Sequence, residues 1–144
     1  QAAGDQLASG FVITAGDEFQ GLLLSGAPLA ELLFEIQSFH AHASIRMGIG
    51  RGELVTALRP DAAIGMDGPV IHRAREAIEA SESVARDAPC FRGFTDVGDQ
   101  VLEGLGRALH DRRRQWTDRQ RACLDGEAVI ERAIRGYLGI FVTR

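Results

Sequence analysis

Lysine and asparagine are missing from the 144 residues altogether. Without lysine the chain can build neither a Schiff base nor a lysine-bearing P-loop, and without asparagine it has no N-glycosylation acceptor. All sixteen basic residues are arginine, which points to GC-rich coding and argues nothing about mechanism. Two cysteines occur, Cys90 and Cys123, isolated and outside any Cys/His cluster, so neither a disulfide framework nor a zinc site is expected. No apolar run approaches the ~20 residues of a membrane span, and no basic-then-apolar leader opens the chain, so a cytoplasmic protein without a membrane partner is expected. Because the chain opens on Gln1 with no strand ahead of its first clear element, truncation or missing segments are also expected.

What is present is one ordinary domain's worth of residues, 45% hydrophobic and 25% charged, the composition of a globular protein with its own core. Charge divides it unevenly. Residues 1–97 carry seven arginines against thirteen acids, a net of −6, and residues 98–144 carry nine against seven, a net of +2. That asymmetry suggests two units, 1–97 and 98–144. Residues 1–10, rich in small residues and without period, read as a tail or loop. The stretch from Phe11 to Leu24 reads as two apolar strands around a Gly-Asp-Glu turn, a β-hairpin whose tip presents Asp17 and Glu18. An acidic pair on a turn freed by Gly16 suits Mg²⁺ or Mn²⁺, although polar residues also simply fill turns.

Ala15-Gly16-Asp17-Glu18-Phe19 resembles the GGDEF signature of diguanylate cyclases, with alanine for the first glycine. The longer string Phe11 to Leu23 is more similar to the SatD family of bacterial proteins, as are Arg46-Met47-Gly48-Ile49-Gly50-Arg51-Gly52-Glu53 and Asp67 to Ala77. Both resemblances imply an α+β fold, a ferredoxin-like, nucleotidyl-cyclase-like palm sandwich. The cyclase resemblance further implies Asp17 as a metal-binding carboxylate, with Asp17 and Glu18 as candidate catalytic residues. Its other metal carboxylate would sit on a strand ahead of the hairpin, which this sequence lacks, and no arginine before Arg46 forms the usual R-x-x-D inhibitory site.

Along the rest of the chain, Ser25-Gly26-Ala27-Pro28 signals a helix start, and Leu29, Leu32, Leu33, Ile36 and Phe39 then recur on one helical face. His40 and His42 could ligate a metal but have no third ligand nearby in sequence. Residues 43–50 alternate strictly, with Ala43, Ile45, Met47 and Ile49 on one side of a strand and Ser44, Arg46, Gly48 and Gly50 on the other. The glycine side fits either close helix packing or a ligand lying against the backbone. Asp67 is expected to cap a helix that buries Val70, Ile71, Ala74, Ala77 and Ile78 and turns Arg73 and Arg75 outward, where they could clamp phosphate or merely form a solvated face. Cys90 to Phe94 reads as an edge strand. Gly16, Asp17, Gly48, Gly50, Asp67 and Arg73 are thus the nucleotide-binding candidates.

From Gly98 the pattern is helical, with Val101, Leu102, Leu105, Leu109 and Trp116 on a stripe, and Thr117 to Gln120 forms a capping box that starts another helix. Arg112, Arg113, Arg114, Arg119 and Arg121 surround that bend and could meet DNA phosphates, or pair with neighbouring acids. Gln115 to Arg121 resembles the start of a helix-turn-helix, without its recognition helix. Glu127 to Leu138 reads as an amphipathic helix and Ile140-Phe141-Val142 as a short tail. The sequence therefore leads to a SatD-like regulatory protein, expected to be a homodimer that senses a nucleotide or binds DNA, with a metal-dependent nucleotidyl-transfer enzyme as the alternative.

Overall fold

A computed structural model describes residues 7–24, 28–39, 44–83, 87–117 and 137–143. The elements run β1 (Leu7–Ala15), β2 (Glu18–Leu23), α1 (Leu29–Phe39), β3 (Arg46–Gly52), α2 (Pro69–Ala80), β4 (Cys90–Arg92), α3 (Asp96–Arg114) and β5 (Tyr137–Thr143). The fold is mixed α+β. The strands form one sheet in the order β1-β2-β5-β3-β4, with β3 and β4 parallel and every other neighbouring pair antiparallel.

Two sequence expectations change here. Leu7 to Gly10 belong to β1 and not to a tail: Ala8 and Ser9 are small enough to bury completely in the pairing with β2, so the segment needs no bulky alternation to be a strand. The apolar tail is the central strand β5, hydrogen-bonded to β2 on one side and β3 on the other, and Tyr137 and Leu138 start it instead of ending a helix. A strand paired on both edges has no exposed row of N–H and C=O groups, and a short apolar run suits that position. Since β5 lies beyond residue 97, the sheet draws on both sides of the boundary at 97/98.

Helices cover both faces of the sheet. On one face Leu23, Ile45, Met47, Ile49 and Phe91 pack with Leu33, with Leu29, Leu32 and Ile36 of α1 and with Leu102 of α3. On the other, α2 lies directly along β3. A Cβ at Gly48 would stand 2.4 Å from the Ile78 nitrogen, one at Gly50 2.2 Å from the Ala74 nitrogen, and one at Gly52 2.7 Å from the Val70 nitrogen. The matching is geometric: two strand residues advance ~6.6 Å and four helical residues ~6.0 Å, so alternate glycines meet every fourth helical residue as the helix runs back along the strand. Close helix packing is therefore the role the structure gives Gly48 and Gly50, whose bare side is filled by α2. The loop between β3 and α2 completes this layer, with Ala63 and Met66 packed on Ala8, Leu22 and Val70.

Asp67 is not the N-cap of α2. Gly68 occupies that position at φ 149°, with Pro69 in the first turn. The Asp67 carboxylate instead accepts from the Gly68 N–H at 2.8 Å and lies 2.8 Å from His72 Nε2. α3 is capped by Thr95, whose hydroxyl accepts from the Gly98 N–H at 2.8 Å. The expected stripe on α3 splits: Leu102 joins the core, whereas Val101, Leu105 and Leu109 face outward. Polar contacts join α3 to the body, including Glu103 with Arg92 and Asp99 with the Gly93 and Phe94 N–H groups. His40, His42, Arg119, Arg121, Cys123, the rest of the capping box after Thr117, and residues 127–136 of the expected helix lie outside the described residues.

Candidate functional site

The hairpin tip is a two-residue turn. Gly16 takes φ +60°, and no positive φ follows at Asp17, the sign pattern of a turn with glycine first. Ile13 pairs with Phe19 and Ala15 with Glu18, so β1 has one extra residue, Thr14, at a bulge. Along β2 the alternation sends Phe19 and Leu23 to the α1 face and leaves Glu18, Gln20 and Leu22 on the α2 face. There the Gln20 amide donates to the Ala63 carbonyl.

Glu18 meets Arg75 of α2. The guanidinium donates through Nη1 to Oε2 at 2.8 Å and through Nη2 to Oε1 at 2.9 Å, and the bulged Thr14 hydroxyl donates to Oε1 at 2.9 Å. The Glu18 side chain is only 15% exposed and that of Arg75 45%. The Arg75 hydrogen bonds hold the Glu18 carboxyl below its usual range, partly opposed by burial and assisted by Thr14. A forked guanidinium on a carboxylate is a strong and geometrically specific contact. It ties the hairpin tip to α2 across 57 residues of sequence.

The expected site residues do not converge. Gly16 and Asp17 are exposed at the tip, Gly48 and Gly50 lie beneath α2, and Asp67 holds the start of α2. Arg73 points the other way from Arg75: its Nη1 donates to the Arg51 carbonyl at 2.8 Å, and its side chain lies over Gly93 beside β4. Residues two apart on a helix do not share a face, so the two arginines form no joint clamp. What the fold does bring together is Thr14, Glu18 and Arg75. Thr14 escaped the sequence reading because a bulge leaves no mark in the hydrophobic period; only the extra residue in the register reveals it.

Magnesium or manganese would need carboxylates with free lone pairs. Both Glu18 oxygens are engaged, which leaves Asp17 as the tip's one uncommitted carboxylate. Among the described residues no group of three or more His, Cys, Asp or Glu side chains is placed to hold a metal. Central strand β5, Tyr137-Leu138-Gly139-Ile140-Phe141-Val142-Thr143, contains no acid. These residues do not fit a two-metal centre.

At the far end of α3, Arg112 and Arg114 are exposed, whereas Arg113 lies 4.1 Å over the Phe34 ring and donates to Gln37 Oε1 at 2.7 Å. No helix among the described residues is long and apolar enough to cross a membrane. Compared with known proteins, residues 1–86 match the SatD family, a span that runs from the hairpin past α2 and covers more than half of the chain. No curated protein and no solved structure matches.

Proposed function

The chain belongs to the SatD family, and from that premise we propose that it is a regulatory protein that senses a phosphate-bearing nucleotide at the hairpin–α2 junction. The Glu18–Arg75 fork carries this reading. A carboxylate whose two oxygens both accept from a guanidinium is unsuited to catalytic metal binding, but the same guanidinium is a ready receptor for phosphate. In the sensing reaction a nucleotide phosphate competes with Glu18 for Arg75. The released carboxylate then loosens the hairpin tip from α2, converting ligand binding into a change in the sheet's edge.

A palm-like architecture is part of the proposal. It is supported by α1, which joins β2 to β3 while β5 lies between them, the split crossover of ferredoxin-like folds. Helices on both faces depart from a simple two-layer sandwich. The nucleotidyl-transfer alternative asks for a metal-holding set of carboxylates around Asp17, whereas Glu18 beside it is engaged by Arg75 and no group of three or more ligating side chains forms among the described residues.

The test is thermal shift of the full chain against ATP, GTP and cyclic dinucleotides, each with and without Mg²⁺ or Mn²⁺, beside Asp17→Ala and Arg75→Gln. Binding to the native state alone stabilises by about 2.7 kcal/mol at a ligand concentration of 100 Kd. The expected result is a rise with one nucleotide that Arg75→Gln abolishes, without turnover of that nucleotide. Turnover lost in Asp17→Ala would establish the enzyme instead, and a shift indifferent to Arg75 would remove the junction from the mechanism.

The exposed Arg112 and Arg114 favour a second reading, binding of duplex DNA by the end of α3. Replacing each phosphate-contacting arginine should lower the salt dependence of binding by about one unit of slope. DNA binding unchanged by both replacements would end this reading.

A further inference from the structure

β4 is the last strand of the sheet, so one row of its backbone groups faces away from β3. Side chains, and no strand, take that row. The Phe91 N–H donates to Glu103 Oε1 at 3.3 Å, the Phe91 carbonyl accepts from Arg92 Nη1 at 2.6 Å, and the same Nη1 donates to Glu103 Oε1. Just beyond the strand the Asp99 carboxylate accepts from the Gly93 N–H at 3.0 Å and from the Phe94 N–H at 2.9 Å. Two acids of α3 and one arginine thus do for this edge what a further strand would do.

Little else fastens α3. It is 19 residues long and none of them is buried. Leu102 joins the core, but Val97, Val101, Leu105 and Leu109 are each more than half exposed. His110 Nε2 is shut away from water and has no hydrogen-bond partner among the described residues, so docking leaves part of its desolvation cost uncompensated. At the far end Arg113 lies over Phe34 and donates to Gln37. α2, by contrast, buries Val70, Ala74, Ala77 and Ile78 and lies backbone to backbone on β3. Segments that open ahead of the rest of a protein are those with few buried apolar contacts, and α3 meets that description where α2 does not.

We infer that α3 is a detachable strap, which leaves the sheet as one unit at a lower cost than global unfolding and uncovers the β4 edge when it does. Closed, the strap engages the Phe91, Gly93 and Phe94 N–H groups. Open, it leaves all three without an acceptor, and a sealed edge becomes one that can accept a strand. This does not depend on the nucleotide-sensing proposal.

Hydrogen exchange of the full chain, followed by NMR, tests it. The Phe91, Gly93 and Phe94 amides owe their hydrogen bonds to α3 carboxylates, and each variant is read at contacts that it does not itself make. Glu103→Ala should speed exchange at Gly93 and Phe94, Asp99→Ala at Phe91, and Arg113→Ala at all three, by at least about tenfold, the loss of one charged hydrogen bond, with the β3 amides unchanged. In the parent chain the three amides should exchange faster in urea, but with a shallower slope than the β3 amides, because opening the strap exposes less surface than unfolding the chain. Effects confined to the amide whose own acceptor was removed would show that the contacts act separately. Equal effects in β3, a urea slope equal to that of β3, or no slope at all would show that α3 does not open as a unit. Any of these results overturns the inference.

Discussion

Substitution of Gly50 by alanine separates the two uses to which a glycine-lined strand face can be put. The new Cβ would lie 2.2 Å from the Ala74 nitrogen, 2.5 Å from the Val70 oxygen and 2.8 Å from the Ala74 Cα, whereas ordinary contact begins at 3.4 Å. All three atoms are backbone, so no rotamer change relieves the clash and α2 has to move away by more than an ångström. That movement opens the packing of Val70, Ala74, Ala77 and Ile78, all buried on α2. Overpacking costs 1–3 kcal/mol in general, and with backbone on every side about 3 kcal/mol is expected here. For a chain of this size that is a loss of about 10 °C in Tm, a large share of an ordinary domain's 5–15 kcal/mol. Urea titration followed by circular dichroism measures it, with Gly104→Ala as the internal control. Gly104 lies on α3 with no atom within 4 Å of a built Cβ, so its replacement should stabilise by about 0.5–1 kcal/mol. If Gly50→Ala stays within about 0.5 kcal/mol of the parent, or spares stability while removing a nucleotide-dependent shift, the packing argument is refuted and the glycine face is a ligand surface.

Further outcomes follow from single contacts. Arg75→Ala removes a half-buried fork, between the worth of exposed and buried pairs, and should cost about 1–2 kcal/mol at pH 7. Because Arg75 depresses the Glu18 pKa, this contribution is complete above the unfolded value of 4.5 and disappears as pH falls through the lower folded value, so parent and variant should converge in acid; a gap that persists at pH 2 would contradict the assignment. Thr95→Ala should cost about 1 kcal/mol through the lost α3 cap, whereas Asp67→Ala, which loses only exposed contacts to the Gly68 N–H and His72, should cost less, about 0.5 kcal/mol; equal losses in urea titration would show that the capping roles are misassigned. The Cys90 thiol is pushed up by burial, with Glu103 adding to the rise and Arg92 and Arg107 opposing it. In a Cys123→Ser background it should therefore react with a disulfide reagent at pH 8 only as fast as the chain opens, and rapid labelling of that native variant would exclude its burial.

The sequence alone determined the elements whose causes are local. The hairpin around Gly16, α1 after Pro28, the alternating β3, the apolar face of α2 and the edge strand at Cys90 each have a period or a turn residue that acts within a few positions, and the structure has all five. The family resemblance was equally legible, because Phe11 to Leu23 and Asp67 to Ala77 are contiguous strings within the matched span. Tertiary structure decided what depends on a partner distant in sequence. Gly48 and Gly50 read equally well as a ligand surface until α2 is laid on them. Glu18 looks like a metal ligand until Arg75 arrives from 57 residues away and occupies both oxygens. Residues 137–143 have the composition of a tail or of a central strand, and only pairing with β2 and β3 chooses between them. The α3 stripe has the period of a buried face, yet the sheet offers room for Leu102 alone, and the rest faces outward. A periodic pattern records which side chains share a face; the three-dimensional arrangement determines whether that face is covered and by what.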